Sequence, residues 1–235
     1  MKTYFIILFS ISLVALGFSQ TQPKVDDYPF GKSDVNVIIF PFGMENPIII
    51  GTMSRSGDIN FEFPKELPKI SKETEENFMQ DLVYTVFSVC DDGLRMISDK
   101  DNLPSFEAGV LSLSTSDNPY AGLIMAVSDV ALIPWIEDPG YEEPLFGSYF
   151  ELIYVPSAFK YEGECKQTRS SMSDDPDMEI SYSFNLNLKA GFNFIEYKIE
   201  SIHKTDPNVM ASFPDKVSII SVEGIPNCKW VGKYF

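Results

Sequence analysis

Residues 180–188 read ISYSFNLNL, and this stretch decides the fold class because apolar and polar residues alternate strictly along it. A period of two is the signature of a β-strand that buries one face and leaves the other in water. The pattern returns further along, where charged residues separate Ile195, Tyr197 and Ile199. The two stretches predict neighbouring strands of a sheet that has one core face.

Short strand patterns recur along the rest of the chain. They lie near residues 35–40, 48–53, 59–63, 94–98, 109–114, 121–127, 149–155, 164–168 and 217–222. Turn residues and 16 prolines separate them. We therefore predict an all-β fold, mainly an antiparallel β-sandwich.

One segment departs from the strand pattern. Residues 73–88 carry Phe78, Leu82 and Val86 at a spacing of four, and Ser71 in front of them suits a helix N-cap. This spacing predicts one amphipathic helix whose apolar stripe packs on the sheet.

The β-rich region is predicted to span residues 34–235, after a polar and flexible lead-in at 20–33. Within it, the stretch at 134–147 contains three prolines together with acidic and aromatic residues, which is typical of a long loop. This loop would join two lobes, 34–130 and 147–235. The sequence leaves open whether the lobes are separate domains.

The N-terminus is organised like a secretory signal peptide. Lys2 precedes an apolar run at 4–18, and Gly17 and Ser19 place small residues before a cut at Gln20. The run is shorter than the roughly 20 residues that span a bilayer as a helix. We expect residues 1–19 to be removed and the mature chain to be secreted, periplasmic or at the cell surface, with no transmembrane segment.

The formal net charge is −16, and acidic residues outnumber basic ones throughout the chain. Such a surface repels phosphate backbones, so nucleic acid is excluded as a partner. Export also permits disulfides. Cys165 and Cys228 lie in the same strand-rich half and are the preferred pair, although pairing with Cys90 and three free thiols stay open.

Two sets of residues resemble known secreted modules. The first set is IGT at 50–52, GDINF at 57–61 and ELP at 66–68. It is similar to a hairpin of the prealbumin-like regulatory domains of carboxypeptidases. The second set is Tyr154, YEGEC at 161–165 and NLKAGFN at 187–193. It resembles uncharacterised exported bacterial proteins, which often have tryptophan where Phe192 stands. The resemblance implies export and a β-sandwich, and it transfers no catalytic residue.

Catalytic chemistry finds little support in the residue types. His203 is the only histidine, so a zinc centre built on several histidines is excluded, and its place at the end of a strand pattern favours a surface position. No glycine-rich phosphate loop or nucleophile elbow is present. The sequence predicts no cofactor and no catalytic set.

Ligand contact is predicted at the 134–147 loop, through Trp135, Tyr141 and Glu142. Aromatic faces beside carboxylates suit recognition of hydroxyls. In an alternative interpretation, Trp135 plugs the end of the core. A weaker candidate is a calcium site at Asp174, Asp175 and Asp177, where a hairpin tip is the simpler explanation.

The leading hypothesis for function is an exported, non-catalytic protein with a binding or structural role at the cell envelope or outside. Its partner would be an envelope protein or a carbohydrate. One alternative is an exported hydrolase acting on carbohydrate. It needs a pocket in which carboxylates with raised pKa values converge. The candidate carboxylates are Glu137, Glu142 and Glu143. The other alternative is a small outer-membrane β-barrel, suggested by the terminal Phe235 and residues 180–188.

Overall fold

The computed structural model describes residues 22–26, 35–39, 47–169, 177–206 and 211–235. Strands hold 51% of the described residues and helices 12%, which confirms the predicted all-β class. The strands of the described part are β1 (Val35–Ile39), β2 (Ile48–Met53), β3 (Ile59–Phe61), β4 (Gln80–Asp81), β5 (Pro104–Gly109), β6 (Leu111–Ser114), β7 (Gly122–Val127), β8 (Gly147–Val155), β9 (Phe159–Arg169), β10 (Met178–Leu188), β11 (Gly191–His203), β12 (Phe213–Val222) and β13 (Lys229–Tyr234).

The strands form one large sheet whose main path runs β3-β2-β1-β6-β7-β8-β11-β12-β10-β9. In addition, β13 pairs with β7, and β5 pairs with β8 and with the short β4. The one parallel pair among the described strands is β10 with β12, so the arrangement is mainly antiparallel, as predicted. The alternating stretch 180–188 lies in β10, with Phe184, Leu186 and Leu188 buried on one face.

The sheet carries two hydrophobic cores. The first core contains Val25, Val35, Val37, Ile39, Ile48, Ile50, Met53, Ile59, Phe106, Leu111, Leu113, Ile124, Ala126, Leu152, Phe194 and Trp230. The second core contains Leu82, Val86, Phe87, Cys90, Ile153, Val155, Phe159, Phe184, Leu186, Leu188, Ile195, Tyr197, Val217 and Ile219. Adjacent residues of one strand point to opposite faces, so β8 and β11 separate the two cores.

The first core is enclosed because the sheet curls on itself. The ring of Phe61, in edge strand β3, lies 5.8 Å from that of Phe194 and 5.3 Å from that of Trp230. Phe194 lies in β11, far along the strand order from β3. Because of this curl, β3 covers the first-core face of β11. It does not cover the corresponding face of β12, β10 and β9.

Both cores draw residues from the ranges 34–130 and 147–235, and strands of both ranges share the sheet. Part of the expected lead-in also belongs to the fold. Val25 is buried in the first core and bridges to Trp230. Residues 22–26 therefore pack on the sheet.

The single helix predicted at residues 73–88 is wrong. Helix α1 (Lys72–Phe78) ends before Met79, whose backbone is extended, and helix α2 (Leu82–Thr85) begins after β4. The break arises because β4 pairs with β5, and the Leu82 N–H donates to the carbonyl of Leu103. Leu82 and Val86 are nevertheless buried, as the stripe predicted, and Ser71 caps α1 by accepting from the Thr74 N–H.

The predicted 134–147 loop is helical at its start. Residues Val130–Leu132 form a 3₁₀ turn that leads into helix α3 (Ile133–Glu137). Pro134 fits there because the first turn of a helix needs no N–H from that position. None of the described helices has the length and apolar character needed to cross a membrane.

The preferred disulfide, Cys165 with Cys228, is also wrong. Cys165 in β9 is bonded to Cys90, with the two Cα atoms 5.8 Å apart, and Cys228 is a free thiol. Cys90 follows α2, which covers the second core, and Cys165 packs on that same core. The prediction paired two cysteines of the same half of the chain. It failed because the break after α1 places residues 82–90 against the second-core face of β9.

Candidate binding groove

A cavity of about 490 Å³ opens where the curled edge at β3 meets strands β10, β11 and β12. This volume lies in the usual range of small-ligand sites. The lining residues are Phe61, Phe63, Asn185, Asn187, Lys189, Phe192, Asn193, Phe194, Ile220, Ser221, Val222, Glu223, Gly224 and Ile225. Together they form an aromatic wall beside a floor of amides.

Phenylalanine rings build the wall. Phe61 and Phe63 stack at 5.4 Å, and Phe63 stacks on Phe192 at 5.4 Å. Phe61 and Phe63 share a face because they lie two residues apart, and Phe192 and Phe194 do so on β11. All but Phe194 are half-buried, so the wall offers apolar surface to a ligand.

Two asparagines of β10 form the floor. Asn185 and Asn187 alternate with the buried Phe184, Leu186 and Leu188, and this places both amides on the open face. Both side chains are exposed, and neither hydrogen-bonds to the part of the chain that the structure describes. The position of Asn187 is fixed by its backbone N–H, which donates to the Ser221 Oγ at 2.6 Å. Two amides with no described hydrogen-bond partner are therefore open to a ligand.

Asn193 has a structural role in the same cavity. Its Oδ1 accepts from the Lys189 N–H at 2.8 Å, and its Nδ2 donates to the Lys189 carbonyl at 2.7 Å. These bonds close the turn between β10 and β11, where Gly191 has a φ of 100° that other residues rarely adopt. Asn193 thus fixes the turn that connects the strand of Asn187 to the strand of Phe192.

The loop residues predicted to bind a ligand lie outside this groove. Trp135 is half-buried and packs edge-on against Tyr149 at 6.1 Å, while Tyr141 is 86% exposed and Glu142 is exposed. No ring contact joins Trp135 to Tyr141 among the described residues. The structure does not bring the three residues into one site. Trp135 instead packs against Tyr149 of β8.

The neighbouring acids of that loop are already engaged. The Lys233 Nζ donates to Glu137 at 2.6 Å, and the Ser212 N–H donates to Glu143 at 2.9 Å. The bonds from Ser212 lower the pKa of Glu143, with a smaller contribution from Lys204. A lowered pKa is the opposite of what a general acid needs.

Two carboxyls do converge elsewhere. Burial raises the pKa of Glu151 in β8 well above its usual range, and the adjacent carboxyl of Glu107 in β5 raises it further. The Tyr197 hydroxyl, within hydrogen-bonding reach of Glu151, opposes this shift. The cavity that Glu151 borders measures about 30 Å³, the volume of about one water molecule. A sugar ring does not fit there.

The remaining sequence candidates are the acidic residues before β10 and the single histidine. Asp174 and Asp175 lie outside the described residues, and Asp177 is exposed just before β10. The described residues contain no group of three or more metal-ligating side chains. His203 is exposed at the end of β11, as predicted, and stacks on Phe213 at 4.9 Å.

The groove was not predicted, although part of its signal is present in the sequence. The polar face of 180–188 consists of serine and asparagine, whereas that of 195–199 is charged. Uncharged amides on a wet strand face are a signal for ligand contact. The aromatic half depends on how the sheet curls, which no local pattern encodes. The chain matches no protein-family model, no curated protein and no solved structure.

Proposed function

We propose that the protein is an exported, non-catalytic binding protein whose ligand lies in the groove between the phenylalanine wall and β10. The observation that carries the proposal is the pair of open amides, Asn185 and Asn187, facing an aromatic surface. Apolar walls with a few convergent polar groups are the usual composition of ligand sites.

The chemistry of the groove supports binding without turnover. Among the described residues that line it, the ionisable side chains are Lys189 and Glu223, one of each sign. Hydrolysis of a glycosidic bond generally needs two carboxyl groups on either side of that bond. Of the two carboxyls that do converge, Glu151 borders a cavity too small for a substrate. A hydrolase is therefore the weaker hypothesis.

Two features support export to the secreted, periplasmic or cell-surface compartment. One is the signal-like N-terminus at residues 1–19. The other is the bonded pair Cys90 and Cys165, since disulfides persist mainly in oxidising compartments.

The test is a binding panel of three ligand classes on beads: oligosaccharides, unstructured peptides and lipid vesicles. The wild-type protein is compared with Asn185→Ala/Asn187→Ala, which alters two exposed side chains. Asn77→Ala is the matched control because Asn77 is exposed on α1, away from the groove lining. We expect the wild type and the control to bind at least one class, the double variant to lose that binding, and the ligand to keep its mass.

Three results would overturn the proposal. They are binding to no class, undiminished binding by the double variant, and a ligand cleaved during incubation. Cleavage would transfer support to the hydrolase hypothesis.

A further inference from the structure

The groove extends well beyond its aromatic end. A second cavity of about 550 Å³ adjoins the first and shares Asn185 and Ile220 with it. A third, of about 700 Å³, shares Glu164 and Ser183 with the second. The first two lie over the uncovered face of β10 and β12, and the third also borders Asp91, Asp92 and Met96 beside β9. The three adjoin along β10, and together they are called the channel.

Strand β10 sets the length and chemistry of the channel. Its open face carries Ser181, Ser183, Asn185 and Asn187 at every second position. The first and the last lie six positions apart, which is about 20 Å at the usual strand rise. Hydroxyl and amide groups donate and accept alike, so they match a ligand that carries many hydroxyls.

A hydrogen-bond chain holds the middle of this floor in place. The hydroxyls of Ser183 and Ser218 lie 2.9 Å apart, and the Ser218 Oγ donates to Glu200 at 2.7 Å. Glu200 also pairs with Lys216 at 3.2 Å. A fixed polar floor reduces the ordering that binding requires.

The charges along the channel are largely compensated. Asp91 accepts from the Thr168 N–H, and Asp92 pairs with Arg95. Lys166 and Lys216 pair with Glu179 and with Glu200. The other charged lining residues are Lys189, Glu162, Glu164 and Glu223. Lys189 is the one cation among these four, and the three glutamates together with a chain charge of −16 disfavour sulfate, phosphate or uronate groups.

The backbone of the floor argues against an extended peptide. Peptides that add to a sheet need a strand edge with free N–H and C=O groups. Here β10 lies between β9 and β12, and β12 lies between β10 and β11, so their edges are occupied. On β10 and β12 recognition must therefore come from side chains, and at the outer edge of β9 Asp91 already binds the Lys166 carbonyl and the Thr168 N–H. The phenylalanine wall suits the C–H face of a sugar ring.

We infer that the channel binds an internal stretch of a neutral polysaccharide, with several sugar units along β10 and one ring against Phe63. This inference rests on the proposed binding function and names its ligand class. The channel is lined along its length by side chains that match hydroxyls, so affinity depends on chain length.

The test is calorimetric titration of the wild-type protein with linear neutral hexasaccharides of glucan, mannan, xylan and galactan type. The matching disaccharides, a hexagalacturonate and basic peptides complete the set. We expect at least one neutral hexasaccharide to bind, its disaccharide to bind at least tenfold more weakly, and the hexagalacturonate not to bind. Asn187→Ala should weaken binding roughly tenfold, as loss of a hydrogen bond does.

Phe63→Ala should weaken binding further, and Asn77→Ala should leave it unchanged. Binding of hexagalacturonate or of peptides alone, sensitive to Asn187→Ala, would overturn the neutral-glycan inference and leave the binding function standing. Binding of no probe would overturn the inference, and the bead panel decides the binding function independently. Equal affinities for disaccharide and hexasaccharide would exclude a channel that holds several units.

Discussion

Cys90 and Cys165 join the segment that covers the second core to the edge strand β9, across a sequence separation of 75 residues. Beside this bond, the Asp91 N–H donates to the Lys166 carbonyl and the Asp91 carboxylate accepts from the Thr168 N–H. The covalent bond and two hydrogen bonds therefore fix one end of β9 to the chain after α2.

Removing the disulfide should destabilise the fold. In the chain-entropy model a bridge closing a loop of this length contributes about 4.5 kcal/mol. The double variant Cys90→Ser/Cys165→Ser should lose about 2–5 kcal/mol of unfolding free energy in urea denaturation. Cys228→Ser is the control, and a loss in the double variant no larger than in that control would contradict the assigned pairing.

The thiol of Cys228 should be unreactive in the folded protein. Burial raises its pKa to about 12, so almost no thiolate exists at neutral pH. We expect negligible alkylation of the native protein, one alkylated cysteine after denaturation without reductant, and three after reduction, as counted by intact mass. Rapid native labelling, or any other count in the denatured protein, would show that the pairing or the burial is wrong.

Leu82→Ala should be costly because Leu82 is fully buried in the second core at the start of α2. The expected loss is about 2–5 kcal/mol, the usual range for a buried leucine. Leu94→Ala removes the same atoms from a residue that is 64% exposed, and it should change stability by less than about 0.5 kcal/mol. Similar losses in both variants would mean that the segment at 82–90 does not pack as described.

Glu151 should make the fold less stable as the pH rises. Its folded pKa is raised above the ordinary 4.5, so the folded state binds the proton more tightly than the unfolded chain. The free energy of unfolding therefore falls as pH rises from about 4.5 through the raised pKa. Glu151→Gln cannot ionise, and it should flatten this dependence and raise the melting temperature at neutral pH.

The matched control is Glu142→Gln, at an exposed loop position. Its pH profile of melting temperature should follow that of the wild type. If Glu151→Gln also followed the wild-type profile, the raised pKa would have no part in stability.

The strands were predictable where one face is buried and the other is wet. Residues 180–188 and 195–199 gave clear periods because β10 and β11 each bury one face in the second core. In β8 the period is weak, since Leu152 and Ile153 are both buried, each in a different core. Local pattern cannot reveal that a strand lies between two cores.

The failed predictions share a tertiary cause. The helical spacing of Phe78, Leu82 and Val86 is real, but pairing of β4 with β5 breaks the helix between them. The pairing of Cys165 with Cys90 follows from that break. The aromatic wall likewise depends on the approach of Phe61 to Phe194, which joins the edge of the sheet to its middle.

Nuclear magnetic resonance of the asparagine side-chain amides tests the binding site most directly. The ¹⁵N-labelled protein is titrated with the neutral hexasaccharide mixture, and the NH₂ signals are assigned by single Asn variants. We expect the signals of Asn185 and Asn187 to shift and to saturate, while those of Asn77 and Asn102 stay in place; the Asn102 side chain accepts from the Val83 N–H. Signals of Asn185 and Asn187 that do not move at saturating ligand, or shifts confined to other asparagines, would contradict it.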